Sequence, residues 1–166
     1  MSVPPILDIR PAAPTDAPAL SRVFVAAIET KAREGYGPRE RAAWAARGTP
    51  ERFAAMLADG RNTILAAWQG GRLCGLAGLT GFEVSLLYAA PDAPAGTGGA
   101  LLAAVEALAR ERGLGGLELC ASRNALSFYL RHGYAIVSPA RRELTPQISL
   151  PVCLMAKSLA PSCRAP

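Results

Sequence analysis

The run Tyr88-Ala-Ala-Pro-Asp-Ala-Pro-Ala-Gly-Thr-Gly-Gly-Ala-Leu-Leu joins an apolar strand to an amphipathic helix through a Gly-rich loop. Such a junction can cradle an anion. Gly96, Gly98 and Gly99 let the backbone turn sharply and approach a ligand closely. The N–H groups of a helix's first turn have no intrahelical acceptor, so they point at whatever lies before them, and phosphate is the usual guest. The helix dipole adds about half a positive charge without any lysine. The same glycines would also suit a turn that only joins strand to helix.

Other reactive side chains are sparse. Cys74, Cys120, Cys153 and Cys163 are far apart and form no CxxC pair, and His132 is the only histidine, so no metal site is expected. Cys74, Cys120 and Cys153 sit in apolar strand-like runs and read as reduced core cysteines. Hydrophobic residues make up 51% of the chain against 19% charged, which excludes a disordered chain. Polar residues interrupt every apolar run before membrane-spanning length, so no membrane partner is expected. The net charge of +5 is spread along the chain without an aromatic-interleaved basic patch. That suits a polyanionic small molecule at least as well as nucleic acid, for which no recognition motif is present. Met1-Ser-Val-Pro-Pro-Ile lacks the basic flank and apolar stretch of a secretory signal, so the cytoplasm is the expected location. The 166 residues suit one domain over 1–160, with 161–166 as a frayed tail.

The elements that must position the loop follow from pattern. Ile6 to Arg10 reads as a strand. Thr15 or Asp16 can then cap a helix carrying Leu20, Val23, Phe24 and Ala27 on one face. Gly35-Tyr-Gly-Pro breaks the pattern, and Arg39 to Ala46 and Pro50 to Ala58 read as two short helices. Asn62 to Gln69, Arg72 to Leu79 and Glu83 to Ala89 form an antiparallel meander, with Gly70-Gly71 and Thr80-Gly81 as hairpin turns. After the loop, Leu101, Leu102, Val105, Leu108 and Ala109 fall at helical spacing up to Gly113. Gly116 to Ala121 is the next strand, which makes a parallel crossover with the loop at the carboxyl end of its first strand. A short helix over Asn124 to Arg131, a strand over Tyr134 to Val137 and a last strand over Ile148 to Ala156 complete the chain. The fold class is α/β (α+β): a mixed, mostly antiparallel sheet of about seven strands with four helices, in the order β-α-α-β-β-β-α-β-α-β-β.

That order resembles the GNAT superfamily of acetyl-coenzyme A-dependent N-acyltransferases. Three segments carry the resemblance: Leu86-Leu-Tyr-Ala-Ala-Pro-Asp leading into Gly96-Thr-Gly-Gly-Ala-Leu-Leu, then Leu117-Glu-Leu-Cys-Ala-Ser, then Asn124-Ala-Leu-Ser-Phe-Tyr-Leu-Arg-His-Gly-Tyr. The segment Tyr36-Gly-Pro-Arg-Glu-Arg-Ala-Ala-Trp-Ala further resembles a bacterial branch of these acetyltransferases. The resemblance implies an enzyme that uses acetyl-CoA as cosubstrate, without metal, and passes the acetyl group to a small-molecule or peptide amine. The acceptor's identity and the oligomeric state, a homodimer included, stay open.

The resemblance also implies site residues. Ala95, Gly96, Thr97, Gly98, Gly99 and Ala100 would wrap the coenzyme pyrophosphate, and Leu87, Tyr88 and Ala89 would present backbone groups to the pantetheine arm. Asn124 matches a frequent coenzyme contact and is equally a helix cap. Tyr129 matches the tyrosine that protonates the departing thiolate, and its phenol, with an ordinary pKa near 10, is protonated at neutral pH. Glu83 would act as general base on an amine whose ordinary pKa is about 10.4. Ser85 lies two residues on, and Glu118 is a weaker alternative base. Tyr36 and Trp44, with Phe53, fall where the superfamily closes over its acceptor. The loop departs from the family pattern: Ala93 stands where Gln or Arg is usual, and the loop is one residue short. It must therefore bind mainly through backbone. Two rival functions fit parts of the pattern: a non-catalytic acetyl-CoA-binding regulatory module, and a dinucleotide-binding oxidoreductase built on Gly96-x-Gly98 with Glu118.

Overall fold

The computed structural model describes residues 6–159, so the expected tail at 161–166 and Cys163 lie outside the described residues. The chain begins with β1 (Asp8–Pro11), α1 (Ala17–Lys31), α2 (Pro38–Ala45) and α3 (Pro50–Ala58). The meander β2 (Asn62–Gln69), β3 (Arg72–Thr80) and β4 (Glu83–Ala89) follows. Then come α4 (Thr97–Glu111), β5 (Gly116–Ala121), α5 (Leu126–Arg131), β6 (Ala135–Thr145) and β7 (Ile148–Ser158). The helices number five where the expected order counted four, since the two short helices read over 39–46 and 50–58 are both present as α2 and α3, each opened by a proline in its first turn. Among the described residues no helix is long and apolar enough to cross a membrane.

The seven strands form one sheet in the order β1-β2-β3-β4-β5-β7-β6. Every pairing is antiparallel except β4 with β5. A doubly wound dinucleotide fold needs parallel strands on both sides of its crevice, so this sheet is not one. The Gly70-Gly71 turn between β2 and β3 has φ of +57° and +76°, the left-handed pair a tight hairpin requires. Of the strand expected over Tyr134 to Val137, residues 135–137 are only the start of a longer one. β6 runs on to Thr145 through Pro139, which is tolerated because β6 is an edge and a missing N–H there costs no ladder bond.

Strand alternation sends side chains into two clusters, one on each face. On β2, Ile64 and Ala66 face α1, Trp44 and Phe53, whereas Leu65 and Ala67 face α4 and α5. Leu101, Leu102 and Val105 of α4 are at most 1% exposed, and each contributes about 1.5–3 kcal/mol relative to exposure. Close approach of α4 to β3 depends on Gly75. A Cβ there would stand 2.7 Å from Leu101 Cδ1 and 3.1 Å from Thr97 Cγ2. On the outer side of α4, Lys157 Nζ donates to both oxygens of buried Glu106 at 2.9 and 3.1 Å, and the Tyr134 hydroxyl donates to Oε1 at 3.1 Å. Lys157 also donates to His132 O at 2.9 Å, so one ammonium ties α4 to the end of α5.

Gly48, after α2, touches α1. A Cβ there would fall 2.0 Å from Phe24 Cδ1, a rigid ring atom, whereas one at Gly60 meets nothing within 4 Å. Gly48→Ala is therefore expected to destabilise the protein by about 1–3 kcal/mol through overpacking. Gly60→Ala should stay within about 0.5 kcal/mol of the parent, both variants being compared with it by urea titration.

Candidate active site

β4 and β5 share one parallel residue pair, Glu83 with Glu118, backed by the Glu118 N–H donating to Phe82 O at 3.0 Å. Beyond that pair the ladder stops, and a cavity of about 400 Å³ lies where the strands part. Its walls come from β4, the loop before α4, Cys120 on β5, and Asn124, Phe128 and Tyr129. The N–H of Ala90 donates to Cys74 O at 2.8 Å, toward β3. Successive peptide groups of a strand alternate, so the N–H groups of Leu87 and Ala89 turn the other way, into the gap. Tyr88 gives its N–H to β3 and only its side chain to the site, packed 4.6 Å from the Phe24 ring and 6.3 Å from Trp44.

At the far end stands the Gly-rich loop. Gly96 has φ of +87° and caps α4 from the left-handed region, where a side chain would be strained. The Thr97 N–H is spent on Pro94 O at 3.2 Å, its hydroxyl on the same oxygen at 2.7 Å, and the Ala100 N–H on Gly96 O at 3.0 Å. The N–H groups of Ala95, Gly96, Gly98 and Gly99 have no acceptor among the described residues. Ala95 to Gly98 line the cavity, and Gly99 and Ala100 do not. Gly99 instead accommodates α5: a Cβ there would stand 3.1 Å from His132 Nε2. His132 is half-buried, its ring nitrogen 2.8 Å from Phe128 O.

Tyr129 is 7% exposed, lines the cavity, and has no hydrogen-bond partner for its hydroxyl among the described residues. Burial pushes its phenol well above the ordinary tyrosine value, and Tyr88 nearby adds to the shift. Asn124 is exposed at the cavity rim, and its side chain makes no cap bond to the helix. Cys120 is a cavity residue rather than a core one. Burial first, then Glu83 and Glu118, push its thiol up. The expected acceptor aromatics divide. Trp44 lines the cavity, but Tyr36 does not: its hydroxyl donates to Pro151 O at 2.7 Å and accepts from the Arg123 N–H at 3.1 Å, fixing the α1–α2 loop to β7.

On the α1–α3 side of β4 lies a second cavity of about 240 Å³, which shares Trp44, Ser85, Leu86, Tyr88 and Arg142 with the first. The register of β4 on β3 slips between Gly78 and Leu79, leaving Ser85 as the extra residue of a bulge. That bulge lets Glu83 line the same cavity as Leu86 and Tyr88, which strict alternation would forbid. Glu83 Oε1 is 3.8 Å from Arg142 Nη2. Ser85 Oγ is 3.0 Å from Thr80 Oγ1, which also reaches Asn62 Oδ1 at 2.7 Å. Glu118 lines neither cavity. Sequence reasoning missed Arg142, Arg47 and Arg52, all in this second cavity. Their only signal is their charge, because they come from a loop, a helix and an edge strand whose extent the pattern did not reveal.

A family model for the acetyltransferase (GNAT) domain matches residues 27–144. A GCN5-related N-acetyltransferase from Rhodopseudomonas palustris superposes with a TM-score of 0.85 at 32% identity, covering 95% of this chain and 98% of that one. The PaiA N-acetyltransferase from Thermoplasma acidophilum, in complex with coenzyme A, superposes at 0.78 with 18% identity, over 92% of this chain and 99% of its own. The ribosomal-protein-S18-alanine N-acetyltransferase from Escherichia coli does so at 0.68 with 19% identity, over 97% and 99%. At such identities the last two share the fold alone. No curated protein matches the chain in sequence.

The raised phenol of Tyr129 has a measurable sign. Its folded value lies above the unfolded one, so its contribution to stability is complete below pH about 10 and is lost as the pH climbs toward the folded value. In a spectrophotometric titration, the difference between the parent and Tyr129→Phe should show a phenol still protonated above pH about 10. Ionisation at the ordinary value would mean that the hydroxyl is solvated.

Proposed function

The chain belongs to the GNAT acetyltransferase family, and from that membership we propose that it transfers the acetyl group of acetyl-CoA directly to the nitrogen of an amine. One observation carries this reading. The free N–H groups of Ala95, Gly96 and Gly98 and the open edge of β4 belong to one cavity that also holds Tyr129, and the free N–H of Gly99 follows in the same first turn of α4. The first set suits a pyrophosphate, and the strand edge suits the amide-bearing arm of coenzyme A, as it would a further strand. The PaiA N-acetyltransferase, whose structure is a complex with coenzyme A, supports the choice of ligand. Acetyl-CoA supplies an activated thioester.

The chain's residues then divide the work. The N–H groups of Leu87 and Ala89 are the donors available to polarise the thioester carbonyl and stabilise the charge that develops on its oxygen. The neutral amine attacks the carbonyl carbon, the C–N bond forms and the C–S bond breaks. The nitrogen sheds its proton, through water where needed, to Glu83, which lines the acceptor cavity. The Tyr129 phenol stays protonated across neutral pH and gives a hydrogen bond, then a proton, to the departing sulfur, recovering it from solvent. The products are an N-acetyl amide and the free thiol of coenzyme A. The raised thiol of Cys120 argues against an acetyl-cysteine intermediate, since the thiolate is the nucleophile.

With an accepted amine, Tyr129→Phe is expected to lower turnover by roughly 10²-fold or more in a thiol-release assay. Calorimetric affinity for coenzyme A should be nearly unchanged. Unaltered turnover would remove Tyr129 from the chemistry, and binding of coenzyme A without turnover of any amine would favour a regulatory module.

A further inference from the structure

The second cavity is charged in one direction. Three guanidinium groups line it, from Arg47 after α2, Arg52 on α3 and Arg142 on β6, against one carboxylate, Glu83. Arg47 Nη1 donates to Glu143 O at 2.9 Å, and Arg52 Nη1 to Arg47 O at 3.1 Å. Both partners are neutral carbonyls, so they orient the guanidiniums without cancelling their charge. The Arg142–Glu83 contact, at 3.8 Å with both side chains more than a third exposed, compensates only one of the three. Burial first, and then the like charges of Arg47 and Arg142, lower the proton affinity of Arg52.

A cavity with this surplus repels an acceptor whose remaining charge is positive, such as a polyamine or a lysine-rich peptide. It attracts one that brings an anion, and guanidiniums match a carboxylate with two parallel N–H donors. Size narrows the class further: about 240 Å³ is below the usual range for drug-sized ligands. Phe53, Met56 and Leu144 supply apolar wall for a side chain. Arg142 lines both cavities, so an anion bound there leaves a nearby amine at the strand gap.

We infer that the acceptor is a small amino acid, its carboxylate held by Arg52 and Arg142 and its amine directed at the gap between β4 and β5. This rests on the acetyl-transfer reading for its chemistry, whereas the carboxylate site can be measured without transfer. Free L-amino acids and their carboxamides would be titrated calorimetrically into the protein saturated with coenzyme A, which cannot react. The best amino acid should bind roughly ten- to hundred-fold more tightly than its carboxamide, as expected for charge-assisted hydrogen bonds. In Arg52→Gln and Arg142→Gln that ratio should fall toward one, and Arg52→Gln, at a residue that lines only the second cavity, should retain affinity for coenzyme A. With acetyl-CoA, the same amino acid should release thiol with a kcat/KM preference of similar size over its carboxamide. Equal binding of acid and carboxamide, tighter binding of a polyamine, no binding of any amino acid, or a ratio unmoved in both variants would each overturn the inference. Amino acids that bind with the predicted ratio but release no thiol would leave the carboxylate site standing and defeat the transfer reading instead.

Discussion

Parallel pairing between β4 and β5 stops after the single pair Glu83–Glu118, and the molecule is organised around the backbone groups this leaves open. An N–H removed from water without a partner costs about 1–3 kcal/mol, so a sheet does not part in its middle without something to fill the gap. Here the gap is a cavity with the free N–H groups of Leu87 and Ala89 on one side and Tyr129 near the other. The two walls are held by different means. β4 is fixed by its ladder to β3. The α4–α5 wall is fixed by apolar burial and by Lys157, whose ammonium joins Glu106 to the end of α5.

Charge is distributed along the site by two unlike devices. Before α4 the positive potential comes from the free peptide N–H groups of the loop, which carries Ala93 rather than a long polar side chain. On the far side of β4 it comes from Arg47, Arg52 and Arg142, whose guanidiniums are steered by backbone carbonyls. Between them Tyr129 and Cys120 line the first cavity, both held protonated by burial, with Arg142 at the border of the two cavities. A neutral nucleophile and a leaving thiol are the species such a region suits.

Much of this was legible in the sequence because the deciding signals are local. Gly70-Gly71 specifies a tight hairpin, the 101–109 spacing specifies the buried face of α4, and a Gly-rich junction specifies free helix N–H groups. What was illegible depends on residues distant in sequence. Pro139 masked the continuation of β6, since whether proline breaks a strand depends on whether the strand is an edge. With it went Arg142, which meets Glu83 only through the β6–β7 hairpin. The bulge at Ser85 is set by the register of β3 on β4. Tyr36 looked like a pocket aromatic and proved to be a strut, because its partners Pro151 and Arg123 lie about a hundred residues or so away.

The open strand edge and the loop N–H groups can be observed one amide at a time. Backbone amide hydrogen exchange, read by NMR with and without coenzyme A, tests directly whether they are the binding surface. Leu87, Ala89, Ala95, Gly96, Gly98 and Gly99 should gain protection on binding, while Tyr88, already paired with β3, should change least among its neighbours. Binding that leaves those six amides unprotected, or protects a surface away from the β4–β5 gap, would contradict the assignment of that gap to the coenzyme.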